Sequence, residues 1–272
     1  MSLCEILERG KDEYSSLVEN LERMLLRGGF SDVRCNERGE TPLHIASAKG
    51  FVGCVRVLLQ YGAFPNSKTK DGRTPLHYAA INGRVEVLQV LISSGADVNV
   101  RDIYGRAPLH YATEGGFVET VKILLEKGAD PNIVDKEGRG ALHLAAMRGY
   151  FLIARMLLDN QADPNLRDSS GQHALHYAAA KGFTNIVKLL LEKGSDPNLE
   201  DNSGNTPLHT AAQWCFADAA ELLLNHGADL GKSNREGKTP LDIAKEIKCE
   251  AFLTAVAEWQ RKKGKGATQV YQ

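Results

Sequence analysis

The stretch DGRTPLHYAA at residues 71–80 decides the fold, because closely similar stretches recur along the rest of the chain. Its glycine belongs to a series whose members lie 33 residues apart, namely Gly39, Gly72, Gly105, Gly138, Gly171, Gly204 and Gly237. A second series follows them, with forms such as LLQYGAFPN, LLEKGADPN and LLEKGSDPN. A fixed period of this length predicts an array of stacked units, each too small to bury its apolar face alone.

Each period has the features of two short helices. A threonine suited to an N-cap precedes a proline suited to the first helical position at Thr41, Thr74, Thr206 and Thr239. Small residues such as Ala79 and Ala80 allow a short inner helix to pack closely, and runs such as 123–125 (Ile-Leu-Leu) give a second helix its apolar stripe. Glycines that favour a left-handed backbone mark the end of the second helix at Gly62, Gly95, Gly128, Gly194 and Gly227.

From residue 36 to about 262 this pattern closely resembles the ankyrin repeat, with its Thr-Pro-Leu-His, Ala-Ala, Leu-Leu and Gly-Ala-Asp-x-Asn landmarks. The resemblance implies an all-α repeat fold, an ankyrin-repeat solenoid of helix-turn-helix units with β-hairpin or turn fingers. Residues 13–35 keep only the second-helix half of the pattern. The implied units are an N-terminal capping half-repeat at 1–35, repeats 1 to 6 at 36–68, 69–101, 102–134, 135–167, 168–200 and 201–233, a C-terminal capping repeat at 234–263, and a disordered tail at 264–272.

The composition is that of a folded, water-soluble protein. The chain has 272 residues and a formal net charge of −1, which excludes a globally basic nucleic-acid binder. Charges interrupt the N-terminus too early for a signal peptide, and no apolar run approaches the length of a membrane span. The five cysteines are scattered and never spaced as CxxC, which predicts neither disulfides nor a zinc site. These features favour reduced thiols and a cytoplasmic and/or nuclear location.

Histidine is the residue type most suggestive of chemistry, since it recurs at the repeat spacing as His44, His77, His110, His143, His176 and His209. Equivalent positions on stacked helices lie roughly 8–10 Å apart, too far to share one metal ion. The resemblance instead implies local hydrogen bonds at the helix start. A metal site at His173, His176 and Asp168 is the weaker alternative, because it lacks the outer groups that orient metal ligands. With no nucleophile elbow or phosphate loop in the sequence, we predict no catalytic residue, no cofactor and no metal.

The resemblance implies that a partner binds in a concave groove lined by the fingers and the inner helices. Groove positions of the first five repeats carry twelve cations, Arg38, Lys49, Lys68, Lys70, Arg73, Arg101, Arg106, Lys136, Arg139, Arg148, Arg167 and Lys181. Their carboxylates number six, Glu37, Glu40, Asp71, Glu114, Glu137 and Glu200. A positive strip on a chain of net charge −1 predicts a protein partner with an acidic, or mixed acidic and apolar, surface.

Apolar side chains within this strip are the candidate anchors, since aromatic residues flanked by arginine are typical of binding hot spots. The predicted partner-binding residues are Arg73, Arg101, Ile103, Tyr104, Arg106, Lys136, Arg139, Met147, Arg148 and Trp214. Tyr104 could instead be an ordinary exposed aromatic, and Trp214 could fill space near Phe216. We therefore predict a monomeric, non-catalytic protein-interaction module acting as an adaptor, assembly factor or inhibitor. Nucleic-acid binding along the basic groove, or an enzyme, are the alternatives.

Three smaller features complete the pattern. Asn99, at the end of LISSGADVN (91–99), resembles an arrangement hydroxylated in some ankyrin proteins, although an unmodified turn residue has the same sequence. The basic run 261–265 is typical either of nuclear import or of a solvated helix end. Repeats three to five lose the cap threonine, and Gln161 takes a position that glycine holds in neighbouring repeats. These departures predict that the middle repeats are the least stable part of the stack.

Overall fold

The computed structural model describes residues 2–10, 15–28 and 31–269, and these residues form sixteen helices and no strand. The helices are α1 (Leu3–Arg9), α2 (Ser15–Leu26), α3 (Pro42–Lys49), α4 (Val52–Gln60), α5 (Pro75–Ile81), α6 (Val85–Ser93), α7 (Pro108–Glu114), α8 (Val118–Glu126), α9 (Ala141–Arg148), α10 (Phe151–Asp159), α11 (Ala174–Ala180), α12 (Thr184–Glu192), α13 (Pro207–Gln213), α14 (Ala217–Asn225), α15 (Pro240–Glu246) and α16 (Glu250–Gln269). The all-α repeat fold is confirmed. Within the described residues, the fingers between helix pairs are turns.

The chain forms two compact units, residues 1–136 and 137–272. The first contains α1 to α8 and the second contains α9 to α16. Within each unit, the first helices of successive pairs pack against one another, and so do the second helices. The apolar core of each unit therefore lies between two rows of helices. The boundary falls inside the predicted fourth repeat (135–167), directly after Lys136.

At five inner helices, a histidine joins the helix start to the repeat that follows. In α5, His77 Nδ1 accepts the backbone N–H of Thr74 at 3.1 Å, while Nε2 lies 3.1 Å from the carbonyl oxygen of Arg106. Since a backbone N–H only donates and a carbonyl only accepts, the imidazole is neutral with its proton on Nε2. The same two contacts are made by His44, His143, His176 and His209. The local structural role predicted for these histidines is confirmed.

The cap threonines do not act as predicted. Thr74 Oγ1 lies 3.0 Å from His77 Nδ1 and accepts no helix N–H. The same geometry occurs at Thr41 and Thr206. The predicted cap forms at Thr239, whose hydroxyl accepts the N–H of Asp242 at 3.3 Å. In α15 the residue that faces the threonine hydroxyl is Asp242 in place of histidine, with its Oδ2 2.8 Å from Thr239 Oγ1.

Buried leucines hold the two rows together. Residues with essentially no exposure include Leu43, Leu76 and Leu109 on inner helices and Leu58, Leu91 and Leu124 on outer helices. Full burial of each such side chain stabilises the fold by about 1.5–3 kcal/mol. The glycines predicted to end the outer helices have φ values from 85° to 90°, and Gln161 adopts the same left-handed region at 67°. Its predicted strain position is confirmed.

Left-handed non-glycine residues also occur nearer the C-terminus, which corrects the prediction that such departures are confined to repeats three to five. Cys215 has φ 60° after α13, and Lys248 has φ 57° after α15. The positions equivalent to Cys215 in the five preceding repeats are occupied by Gly50, Gly83, Gly116, Gly149 and Gly182. Backbone strain is therefore present in the sixth repeat and in the C-terminal repeat as well.

The two ends of the chain carry more helix than the sequence indicated. The predicted half-cap at 1–35 contains two helices, since α1 precedes α2 and begins where Ser2 Oγ accepts the Glu5 N–H at 3.1 Å. Helix α16 extends to Gln269, although disorder was predicted from Gly264, and residues 270–272 of that tail lie outside the described residues. No helix in the described part of the chain combines the length and apolar character needed to cross a bilayer.

The cysteines correct the sequence analysis most clearly. The structure joins Cys4 to Cys35 and Cys215 to Cys249 in disulfides, and it buries Cys54 within α4. The two pairs are separated by 31 and 34 residues, close to one repeat period. Because residues one period apart lie side by side in a stack, cysteines that are scattered in sequence become neighbours in space. The expectation of no disulfides overlooked this consequence of the repeat.

Candidate partner-binding surface

The fingers are rigid turns that bond to one another. In the third finger, Asp102 Oδ1 accepts the backbone N–H groups of Tyr104 at 2.9 Å and Arg106 at 3.0 Å. The Tyr104 carbonyl accepts the Lys136 N–H at 2.9 Å, and the Ile103 N–H donates to the finger before it at 2.9 Å. The backbone of the third finger is therefore held on both sides, and its side chains project from a fixed frame.

The two residues before each finger glycine form the tip, and the third tip differs from the others. Counting along the chain, the tips are Glu37-Arg38, Lys70-Asp71, Ile103-Tyr104, Lys136-Glu137, Ser169-Ser170, Asn202-Ser203 and Arg235-Glu236. Six of the seven are charged or polar, and the third alone is apolar and aromatic. Ile103 and Tyr104 are each 46% exposed, so the tip offers apolar surface to solvent.

A polar network supports Tyr104 from beneath. The Arg73 guanidinium lies 5.9 Å from the centre of the Tyr104 ring and 5.2 Å from that of Tyr111. Its Nε is 3.5 Å from the buried carboxylate of Asp102, to which the Tyr111 hydroxyl also donates. Burial and the hydrogen bond to Asp102 raise the pKa of Tyr111 to about 12, so this phenol remains a donor at neutral pH. The network holds Arg73 beneath the Tyr104 ring, while the backbone bonds of the finger hold the residue itself in place.

The predicted cations of the first unit fall into two groups. Arg73 and Arg106 are tied to carboxylates, since Arg106 lies 2.8 Å from Glu114 and 3.6 Å from the buried Asp135. These two arginines join neighbouring repeats. Arg101 is exposed and donates to the carbonyl oxygens of residues 105 and 134, at 3.0 and 2.7 Å, which position its charge without neutralising it. Lys136 is exposed beside the Tyr104 backbone.

Four of the predicted partner-binding residues lie in the second unit, namely Arg139, Met147, Arg148 and Trp214. Arg139 Nη2 lies 3.1 Å from Glu137 Oε2. Met147 is half-buried and Arg148 is exposed at the end of α9. Trp214 ends α13 with 59% of its surface exposed, so it does not fill a cavity beside Phe216 as the alternative held. Among the described residues of the second unit, Trp214 is therefore the one large exposed aromatic, and it lies after an inner helix.

Five of the recurring histidines have both ring nitrogens engaged in hydrogen bonds, so neither nitrogen offers a free lone pair to a metal ion. These are His44, His77, His143, His176 and His209. Burial lowers the pKa of His44 and His77 to about 4, against an opposing contribution from the hydrogen bond to a backbone carbonyl. His173 and His176 stack, and burial lowers the pKa of His173 to about 4 as well. No group of three or more His, Cys, Asp or Glu within the described ranges is arranged to hold a metal ion.

The side chain of Asn99 joins its own repeat to the next one through hydrogen bonds. Its Oδ1 accepts the Asp130 N–H at 2.9 Å and its Nδ2 donates to the Gly128 carbonyl at 3.1 Å, both in the next repeat. Asn66 makes the same pair of bonds one repeat earlier. Hydroxylation of Asn99 stays a prediction, and it would act on a side chain that already has a structural role.

Sequence reasoning found the exposed residues of the third finger but missed what holds them. Asp102 and Tyr111 went unremarked, although Asp168 and Tyr177 repeat the contact in the second unit. The signal was present as a pair, an Asp three residues before the finger glycine and a Tyr nine residues after that Asp.

Known proteins share the sequence pattern and the fold of this chain. The sequence matches the family model described as Ankyrin repeats (3 copies) over residues 14–102, 102–168 and 175–254. The structure is similar to the ankyrin repeat domain of Bcl-3, a member of the IkappaB protein family, with 30% identity, a TM-score of 0.72, and coverage of 82% of this chain and 98% of that one. It is also similar to the human ASB11 ankyrin repeat domain, with 30% identity, a TM-score of 0.71, and coverage of 79% and 98%. No curated protein matches the sequence.

Proposed function

The chain belongs to the ankyrin-repeat family, whose repeats are in general protein-binding and not catalytic modules, and we propose that it binds a protein partner through its third finger. We define the third-finger patch as Arg73, Arg101, Ile103, Tyr104 and Lys136. In this proposal the patch recognises a partner surface that combines apolar and acidic groups. The role is that of an adaptor, assembly factor or inhibitor without catalysis of its own.

The tip of the third finger is the observation that carries the proposal. Ile103 and Tyr104 place two half-exposed apolar side chains at a position where the other tips are polar or charged. The repeat does not need them for its own fold, because the polar tips have the same backbone hydrogen bonds. An exposed aromatic that is held rigid loses little conformational freedom on binding, which is the property of a hot-spot residue.

The charges around the tip define the partner further. Arg101 and Lys136 are exposed near the apolar pair, while the charge of Arg73 is offset by Asp102. Lys70 adds an exposed cation on the neighbouring finger. Partner carboxylates around an apolar side chain would complement this surface, and the attraction would mainly raise the association rate.

Affinity capture with a matched pair of variants tests the proposal. The wild-type chain, Tyr104→Ala and Val118→Ala are used as bait, where Val118 is an exposed apolar residue on the outer helix α8. We expect one protein to be captured by the wild type and by Val118→Ala and to be depleted by Tyr104→Ala, with an affinity loss of about 1 kcal/mol or more. Equal capture by all three baits, or capture of nucleic acid in place of protein, would contradict it.

A further inference from the structure

At the junction between the sixth repeat and the C-terminal repeat, a disulfide takes the place of a packing contact found at other junctions. At those junctions, the glycine after an inner helix lies against a large side chain 34 residues later, as in Gly50 with Arg84, Gly83 with Phe117, Gly149 with Phe183, and Gly182 with Phe216. The equivalent pair at the last junction is Cys215 and Cys249, which are 34 residues apart and joined as a disulfide. Both members of one contact have therefore become cysteine at the same junction.

Cysteine at position 215 is not explained by the backbone. Cys215 has φ 60°, in the left-handed region that the five preceding glycines occupy at 61° to 83°. A residue with a Cβ is strained there, whereas glycine is not. The backbone therefore gives no reason for cysteine at this position, whereas the S–S bond to Cys249 does give it a contact.

The two sulfurs differ in solvent exposure, and this difference decides which of them reacts first with a reagent in solution. Cys215 is exposed to solvent, and Cys249 has 3% exposure. Cys249 lies at the start of the long helix α16, and its Sγ accepts the backbone N–H of Phe252 at 3.3 Å. A hydrogen bond at a helix N-terminus stabilises a thiolate. The exposed sulfur can therefore meet a reagent from solution, and the buried one is positioned as the internal nucleophile.

We propose that Cys215 and Cys249 form a reversible thiol–disulfide site that responds to low-molecular-weight disulfides such as glutathione disulfide. The Cys215 thiolate attacks the reagent, forms a mixed disulfide, and releases one thiol. The Cys249 thiolate then attacks Cys215 Sγ and releases the second thiol. Overall, two protein thiols are oxidised to one disulfide while one reagent disulfide is reduced to two thiols, and the protons lost by the cysteines are taken up by the released thiolates.

The bond changes the stability of the C-terminal repeat without being required for its fold. It links the end of α13 to the start of α16 and restricts the unfolded segment between them. Phe252 is a fully buried anchor and the Cys249 N–H donates to the Ala244 carbonyl at 2.8 Å, and neither contact depends on the S–S bond. The reduced repeat therefore stays folded but opens more often. This inference is independent of the third-finger patch.

The test follows each disulfide separately in the full chain. Reduced protein is treated with glutathione disulfide and its peptides are mapped by mass spectrometry without reduction. We expect Cys215 linked to Cys249 in the wild type, and glutathione retained on Cys215 in Cys249→Ser. Dithiothreitol under native conditions should reopen the wild-type bond and accelerate hydrogen exchange in α15 and α16 by about tenfold or more.

The double variant C215G/C249F is the matched control, because it restores the pair found at Gly182 and Phe216. Its exchange in α15 and α16 should be the same in oxidising and reducing buffer, while the segment around Cys4 and Cys35 responds as in the wild type. Three outcomes would overturn the proposal. These are unlinked Cys215 and Cys249 after oxidation, a bond that native reduction does not open, or an exchange response of α15 and α16 that persists in C215G/C249F.

Discussion

The third finger of the N-terminal unit and the fifth finger of the C-terminal unit have one backbone design and different tips. In each, an aspartate Oδ1 accepts the N–H of the second tip residue, with Asp102 bonded to Tyr104 at 2.9 Å and Asp168 to Ser170 at 2.8 Å. In each, a tyrosine hydroxyl donates to the second oxygen of that aspartate. The third tip then presents Ile and Tyr to solvent, and the fifth presents two serines.

The comparison separates residues that hold the turn of the finger from residues whose side chains the turn exposes at its tip. Aspartate, glycine and tyrosine recur in both fingers and hold the turn, so replacing them would change stability. The tip side chains do not contribute to this frame, since serine and tyrosine occupy the same backbone position. Binding specificity can therefore vary from finger to finger while the stack stays constant.

Exchanging the tips should give the largest effect. I103S/Y104S gives the third finger the tip of the fifth, and we expect affinity for the captured partner to fall by about 2 kcal/mol or more, roughly thirtyfold. The melting temperature should change little, because surface substitutions usually alter stability by no more than about 0.5 kcal/mol. Calorimetric titration and thermal unfolding measure the two quantities. The fifth-finger variant S169I/S170Y is the control and should leave affinity unchanged. A loss of affinity in this variant would contradict the assignment of binding to the third finger.

Low pH should reduce the stability of the fifth repeat at a helix start where the third repeat has no ionisable side chain. The fifth repeat has His173 where the third has Ala107, and burial lowers the pKa of His173 to about 4. A depressed pKa means that the unfolded chain takes up the proton first, near pH 6.5, so stability is lost as pH falls from about 6.5 towards 4. We expect His173→Thr to reduce the stability lost between pH 7 and pH 5 by about 1 kcal/mol. Parallel curves for variant and wild type would show that His173 does not contribute.

Gln161 allows a second test of the C-terminal unit. Its left-handed backbone (φ 67°) costs roughly 1–2 kcal/mol relative to glycine. Gln161→Gly should therefore raise the melting temperature by about 2–4 °C, as measured by circular dichroism. Gly128→Gln, which introduces the same strain in the N-terminal unit at φ 85°, should lower it. A neutral or destabilising Gln161→Gly would mean that contacts of the glutamine side chain outweigh the strain.

Much of this architecture could be predicted from the sequence, because the 33-residue period places every landmark in register. Helix starts at proline, helix ends at glycine and the role of the histidines follow from local chemistry. Two kinds of feature did not follow. The disulfides and the contact of Arg73 with Asp102 join residues about one period apart, so they become visible only when repeats are placed side by side. The contact of Arg106 with Asp135 was missed for the same reason, since Asp135 lies in the next repeat, and partner binding by Arg106 stays a prediction. The bond from Tyr111 to Asp102 lies within one repeat, and its recurrence at Tyr177 and Asp168 was overlooked.

Charge reversal should give the smallest effect. Arg106 is unsuited to this test, because removing it would leave Asp135 buried without its ion pair. Lys136→Glu keeps the fold intact, and we expect it to lower the association rate a few-fold at low salt. Lys122→Glu makes the same charge change on the outer helix α8 and should have a weaker effect. If the two variants slow association equally, the attraction comes from net charge and not from the third-finger patch.

Photo-crosslinking at the third and fifth finger tips shows which finger the partner contacts. A benzophenone amino acid is placed at position 104 in one protein and at position 170 in another, and each is irradiated with the captured partner. We expect a crosslinked product from position 104 that excess unlabelled wild-type chain removes, and little or none from position 170. Equal crosslinking at both positions, crosslinking at 170 alone, or none at 104 would contradict the assignment of binding to the third finger.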